Sequence, residues 1–277
     1  MDNVLRKRLA IIKNRAKQLK DFYGATRTAR HPEVKSPCRL ADAAPGKEHT
    51  VESSRFYLVR TDAETTAEEA PAIAGRFEVL ARAGSWVDRF LGQNEARKND
   101  RGLRPERVCY FDIETTGLTP NTYVFLCGFM YVHDGRFIIE QAFARDYSEE
   151  IGVLRYTRET LGRFDVLVTF NGTTFDVPFV KTRMTVGKID HAMPKAHIDL
   201  LGPARKTFGK VLPNCKLGTI ERHLRGIERT GDIPGSEIPE AYHDFVRTGD
   251  AQRIKRILYH NRMDLVTMGI LLNHLAT

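Results

Sequence analysis

An α/β fold built on a mixed sheet is what this 277-residue sequence predicts, and three observations carry the prediction. VCYFDIET at 108–115 is a near-continuous apolar run rich in β-branched and aromatic residues, as in a central strand covered on both faces. YVFLCGFMYV and RFIIEQAFA follow it, separated by His133-Asp134-Gly135, and an Asp-Gly between two apolar runs signals a hairpin. Helical and strand periods then alternate, which calls for parallel strands joined by helical crossovers.

In chain order, Leu5, Leu9, Ile12, Ala16 and Leu19 recur at spacings of four and three among Arg6, Lys7, Arg8, Lys13, Arg15, Lys17 and Lys20. A helix there pairs an apolar stripe with a cationic surface. Residues 24–54 mix Pro, Gly, Ser and Ala with neither hydrophobic period, so 1–54 reads as a basic amphipathic helix and linker. Within the connector 55–104, RFYLVR at 55–60 suits a short strand, and Ser85 ahead of Trp86, Val87, Phe90 and Leu91 suits a short helix. The main domain is expected over 105–277, opening with the three antiparallel strands. Ser148, Glu149 and Glu150 mark a helix start, with Ile151, Leu154 and Leu161 as its buried stripe. VLVTF at 166–170 makes a fourth strand parallel to the first, and NGTTFDVPFV turns from it into a helix that tolerates Pro178 in its first turn. Beyond 199 the pattern is mostly helical, ending in one long helix from about 250 to 275.

Composition narrows the function classes. A 42% hydrophobic and 28% charged chain is ordinary for a globular protein and excludes disorder throughout. No run approaches the roughly 18 to 20 apolar residues of a membrane span, and charges interrupt the N-terminal region where a secretory signal would be apolar, so no membrane partner and a cytoplasmic address are expected. Cys38, Cys109, Cys127 and Cys215 stand far apart, against a zinc ribbon or a disulfide framework. Residues 1–47 hold 12 basic and 4 acidic side chains and so carry the whole net charge of +8, because the other 230 balance at 31 each. A basic arm suits attraction to a polyphosphate backbone or another anionic surface.

Asp112 and Glu114, two apart on the first core strand, project from one face. Two carboxylates in an apolar strand repel each other and resist desolvation, so they call for a shared cation or a bound proton. With 35 acids in the chain, chance supplies about four or five such pairs, so the pair gains weight only in combination. Asp176 follows the fourth strand at a helix start, on the edge where the carboxyl ends of parallel strands point; alone, it could simply favour the helix dipole. Asp264 sits in the apolar final helix with His260 one turn before it, about 40° away around the helix axis, against about 140° for Tyr259. Phe175 and Tyr242 are aromatics that could stack bases or fill the core.

DIETTGL at 112–118, NGTTFD at 171–176 and HNRMD at 260–264 resemble, in order and spacing, the three motifs of DEDD-type 3′ to 5′ exonucleases. The ensemble, with KLGTIERHL and GDIPGSEIPEAYHDFVRTGD, is most similar to the YprB-like ribonuclease H-like domains, relatives of family-B polymerase proofreading domains, over residues 105–277. The resemblance implies a ribonuclease H-like mixed five-stranded sheet in the order 3-2-1-4-5, flanked by helices and preceded by the basic extension. It implies that Asp112, Glu114, Asp176 and Asp264 bind two Mg²⁺ or Mn²⁺ ions, that Thr116, Gly117 and Leu118 cradle the terminal nucleotide, and that Asn171 lies near the substrate. Asp199 matches a family pattern as a supporting residue.

The family's general base is a Tyr four residues before the last Asp or a His five before it. Here His260 is at four and Tyr259 at five, so either could serve; helix geometry and an ordinary pKa of about 6.5 favour His260. The implied function is metal-dependent hydrolysis of DNA or RNA from a single strand or 3′ end. A non-cleaving nucleic-acid-binding or recruitment module, or a structure-specific endonuclease, fits the same fold.

Overall fold

The computed structural model describes residues 37–62, 105–226 and 228–276. The expected basic helix at 5–19, the first part of the linker and the expected helix at 85–91 lie outside the described residues. Those from Cys38 onward form one compact unit.

Its centre is a seven-stranded mixed sheet in the order β1-β2-β5-β4-β3-β6-β7. Strand β3 is Val108–Thr115, β4 Val124–His133 and β5 Arg136–Phe143, and the three run antiparallel. Asp134 and Gly135 link β4 to β5 with φ of 49° and 73°, the left-handed pair that a two-residue hairpin turn demands. On the other side of β3 come β6 (Val166–Thr169) and β7 (Ala196–Asp199), both parallel to it. Five strands thus follow the expected 3-2-1-4-5 order.

Two more strands extend the sheet beyond β5, which corrects the expected five. β1 (Lys47–Val51) and β2 (Ser54–Asp62) form a hairpin, and β2 pairs antiparallel with β5. RFYLVR lies in β2, whereas KEHTV, read as the end of a linker, forms β1. β1 is an edge strand whose burial is confined mainly to Val51, so its sequence carries little hydrophobic alternation to read.

Among the described residues seven α-helices cover the sheet. The short α1 (Leu40–Ala43) precedes β1; α2 (Glu150–Leu161) and α3 (Asp176–Val186) flank β6 in sequence. α4 (Leu201–Phe208), α5 (Leu217–Arg225), α6 (Ile238–Thr248) and α7 (Gln252–Ala276) complete the chain. Asp146, rather than Ser148, caps the turn leading into α2, accepting from Ser148 N–H at 2.8 Å.

Alternation along β3 divides the core. Cys109, Phe111 and Ile113 join one apolar cluster with Val153, Leu154, Phe179 and Tyr242. Val108 and Tyr110 join another with Val168, Ile198, Ala204 and Leu265. Tyr242 is fully buried and stacks on Phe125 at 4.0 Å, and Phe175 packs on Phe179, so both aromatics serve the core.

Candidate active site

β6 pairs with β3 only from Val108 to Tyr110 and stops at Thr169, while β3 runs on to Thr115. Asp112 and Glu114 lie on this overhang, on the face that carries Val108 and Tyr110 into their apolar cluster. The backbone edge that β6 vacates needs a new hydrogen-bond partner. Asp176, the first residue of α3, supplies it: its Oδ1 accepts from Ile113 N–H at 3.2 Å.

The turn presenting Asp176 is shaped by Asp199 at the end of β7. Its carboxylate accepts from Asn171 N–H at 2.8 Å, Thr173 N–H at 3.0 Å and Leu201 N–H at 3.0 Å. Burial opposes its charge, but these donors outweigh burial and hold its carboxyl below the usual range. Asn171 takes a φ of 67°, and its Oδ1 accepts from the Thr174 hydroxyl at 2.8 Å.

α7 brings the remaining groups. Asn261 is fully buried; its Nδ2 donates to Asp112 Oδ2 at 2.8 Å, and its Oδ1 accepts from Gln141 Nε2 at 2.8 Å. The same Gln141 nitrogen reaches the Leu258 carbonyl at 2.8 Å. Asp112, Gly128 and Gln141 are register neighbours on β3, β4 and β5, and Asn261 fills the space above the glycine. A Cβ at position 128 would stand 2.2 Å from Asn261 Oδ1.

One turn past His260, Asp264 Oδ1 lies 2.6 Å from Arg229 Nη2, and Asp264 Oδ2 lies 3.7 Å from His260 Nε2. Arg229 also pairs with the buried Glu221, which Arg225 holds from its own helix at 2.9 Å. His260 Nδ1 faces Asp232 Oδ1 at 2.8 Å. The Tyr259 ring lies beneath the Arg262 guanidinium at 5.5 Å. Thr116, Gly117 and Leu118 form the loop after β3: the Thr116 hydroxyl accepts from Tyr123 N–H at 2.9 Å, Gly117 carbonyl from the Thr115 hydroxyl at 2.6 Å, and Leu118 is 86% exposed.

Electrostatics make one cluster of the four acids. Burial, then the charges of Asp264, Asp176 and Glu114, push Asp112 well above the usual carboxylate range against the pull of Asn261. Burial lifts Glu114 to about 8, helped by Asp264, Asp176 and Asp232 and opposed by His260. Burial also lifts Asp176 to about 7, with Asp199 and Asp264 adding to it and its own N–H and that of Ile113 opposing. For His260 burial works the other way, yet the Asp232 hydrogen bond and the charges of Asp264 and Glu114 prevail and raise it to about 9. The ordinary pKa assumed from sequence therefore does not hold: three carboxylates surround this imidazole.

A group of carboxylates that resist losing their protons is one that a hard, oxygen-seeking dication would satisfy, and the all-oxygen donor set suits Mg²⁺ or Mn²⁺. Among the described residues no three acid, His or Cys side chains stand as a ready-made ligand cage. Asn261, Ile113 N–H and Arg229 each hold one oxygen of Asp112, Asp176 and Asp264. Sequence reasoning missed Gly128, Gln141, Arg229, Asp232 and Asn261. The available signals were a glycine inside an otherwise bulky strand and a glutamine in the adjacent apolar one.

This sheet order and acid-bearing central strand agree with the comparison by family: the RNase_H_2 profile matches residues 109–276, and the chain belongs to the RNase_H superfamily. Among curated proteins it is similar to the uncharacterized protein YprB of Bacillus subtilis (strain 168), 34% identical over 185 residues. That match covers 64% of this chain and 43% of the relative, so the chain spans less than half of the relative's length. Among solved structures it is similar to the family B DNA polymerase from the hyperthermophilic archaeon Pyrobaculum calidifontis, with TM-score 0.48 and 20% identity, covering 59% of this chain and 24% of that one. Among the described residues no helix is long and apolar enough to cross a membrane.

Proposed function

We propose that the chain is a divalent-metal-dependent 3′ to 5′ exonuclease acting on DNA or RNA. The observation that carries this reading is the convergence of Asp112, Glu114, Asp176 and Asp264, from β3, α3 and α7, into one mutually perturbing acidic cluster. These four would hold Mg²⁺ or Mn²⁺. Two such ions supply activation of a water and charge stabilisation at the leaving 3′ oxygen.

The protein's part is positioning. Asn261, Ile113 N–H and Arg229 fix three of the acids by one oxygen each, so little reorganisation is left for the reacting complex. His260 is the candidate to take the water's proton at Nε2, with Asp232 fixing the ring through Nδ1. Cations bound by Glu114 and Asp264 would offset two of the three anions that keep His260 protonated. Thr116, Gly117 and Leu118 would line the approach of the terminal nucleotide, and Asn171 the neighbouring turn.

The test is release of mononucleotides from 3′-labelled single- and double-stranded DNA, single-stranded RNA and RNA·DNA hybrid, with Mg²⁺ and with Mn²⁺. Activity abolished by EDTA and by Asp112→Asn in a folded protein is the expected result. A second reading, a nucleic-acid-binding module that does not cut, is favoured by the Arg229 ion pair on Asp264, which already balances one of the four acids with a protein cation. Binding without cleavage of any of the four substrates would establish it, and cleavage of circular strands would indicate an endonuclease.

A further inference from the structure

From residue 48 onward the chain is electrically even, with 31 basic and 31 acidic side chains, yet one stretch departs from that balance. Between Asp199 and Glu228 there are six Lys and Arg and a single acid, Glu221, which is buried and already paired with Arg225 and Arg229. Arg205, Lys206, Lys210 and Lys216, on α4 and the turn to α5, are all exposed, and none pairs with a carboxylate among the described residues. Elsewhere the arginines are engaged, as in Arg145 with Glu149, Arg155 with Glu52 and Arg183 with Glu150. Four solvated cations facing no anion of their own protein leave a local positive field.

Its placement ties it to the acids. α4 begins two residues after Asp199, whose charge acts on Asp176, and Leu200 N–H bonds the Thr169 carbonyl at the end of β6. Ala204 and Phe208, one turn apart, are buried and turn Arg205 and Lys206 outward. Phe208 stacks on His274 of α7 at 5.5 Å, ten residues beyond Asp264. α4 runs about 12 Å from its start beside Asp199, so Arg205 and Lys206 in its last turn, with Lys210 and Lys216 following it, are set back from the acids by a distance on the order of a few stacked nucleotides at roughly 3.4 Å each.

We propose that Arg205, Lys206, Lys210 and Lys216 form a phosphate-binding rail that grips the nucleic-acid strand behind the end presented to the acidic cluster. This rests on the exonuclease reading for the position of that end. Unpaired Lys and Arg heads suit sequence-independent contact with phosphate oxygens. The patch exposes Val211 but no aromatic anchor of the sort that centres a protein interface.

The experiment compares wild type with R205Q/K206Q/K210Q/K216Q and with K188Q/K195Q/R247Q/K255Q, a control that removes four exposed charges elsewhere. Fluorescence anisotropy in EDTA, where hydrolysis is off, measures binding of fluorescein-labelled 3-mer and 12-mer single strands of DNA and of RNA across a salt series. The rail variant is expected to bind the 12-mers at least about tenfold more weakly at low salt, its log–log salt slope shallower by about 3, with the 3-mers unchanged and the control like wild type. A 12-mer affinity and slope equal to wild type in a folded rail variant overturn the rail, as does displacement of the 12-mer by polyglutamate at equal charge, which would point to an acidic protein partner. Rail-dependent binding by a wild type that cuts nothing would sink the exonuclease reading and leave the rail in place.

Discussion

Asn261 holds Asp112 as Arg229 holds Asp264: each takes one oxygen of an acid that its buried neighbours repel. Asn261→Ala releases Asp112 and leaves Gln141 with the Leu258 carbonyl as its other acceptor. Supporting contacts of this kind change metal affinity by about 10- to 100-fold, so calorimetric titration of Mn²⁺ should weaken by that order. Urea unfolding should show a loss of about 1 kcal/mol, the modest sum expected when one hydrogen bond of a shared donor remains. Asp112→Asn removes a carboxyl that folding must either keep protonated or bury charged beside other acids, so its melting temperature in EDTA near neutral pH should rise above wild type while its stabilisation by Mn²⁺ disappears. A fall in EDTA would contradict the crowding of charge inferred for the cluster. Sequence made the four acids and His260 visible as candidates because each belongs to a short acid-bearing motif. Asn261 lies within HNRMD and Asp232 within GDIPG, while Arg229 falls between KLGTIERHL and GDIPG in neither motif; an amide or a guanidinium carries no linear sign of what it touches.

At the scale of elements, the unequal lengths of β3 and β6 open the site, and Gly128 lets α7 descend onto it. A side chain at 128 meets Asn261 Oδ1 head-on, so Gly128→Ala should cost about 1–3 kcal/mol in urea unfolding through overpacking. Combined with Asn261→Ala, which removes the obstructing amide, the two losses should fall well short of their sum, since residues in contact couple. Additive losses would place the strain elsewhere. Strands β3, β4 and β5, helix α2 and the long α7 were legible because each repeats one hydrophobic period over enough residues to identify it. β1 was not, because an exposed edge strand buries too little to impose alternation.

For the whole molecule, the acidic cluster couples stability to pH and, on the metal-dependent reading proposed above, to cations. Glu114 and Asp176 have folded pKa values of about 8 and 7, against about 4.3 and 3.9 for free side chains, so the folded state keeps protons that the unfolded chain releases. Their contribution is fullest below pH about 4 and is lost as pH climbs through 7 and 8. His260, at about 9 against about 6.5, acts in the same sense: its contribution holds below about 6.5 and fades as pH passes 9. The melting temperature in EDTA should therefore fall between about pH 5 and 9, and millimolar Mn²⁺ should restore more of it at pH 8 than at pH 5.5. A flat profile, or equal rescue at both values, would show that the carboxylates do not share a cation.

The sequence by itself determined the antiparallel run of β3, β4 and β5, the parallel β6, the long final helix and which acids were worth watching, because hydrophobic period and motif spacing are local properties of the chain; the full strand order came only with the family resemblance. Only the tertiary structure decided that those acids meet, that Asn261 and Arg229 each hold an oxygen of one of them, and that His260 is ringed by carboxylates. Charge interacts through space: residues 112 and 264 are distant along the chain, and their mutual repulsion exists only once β3 and α7 are packed together.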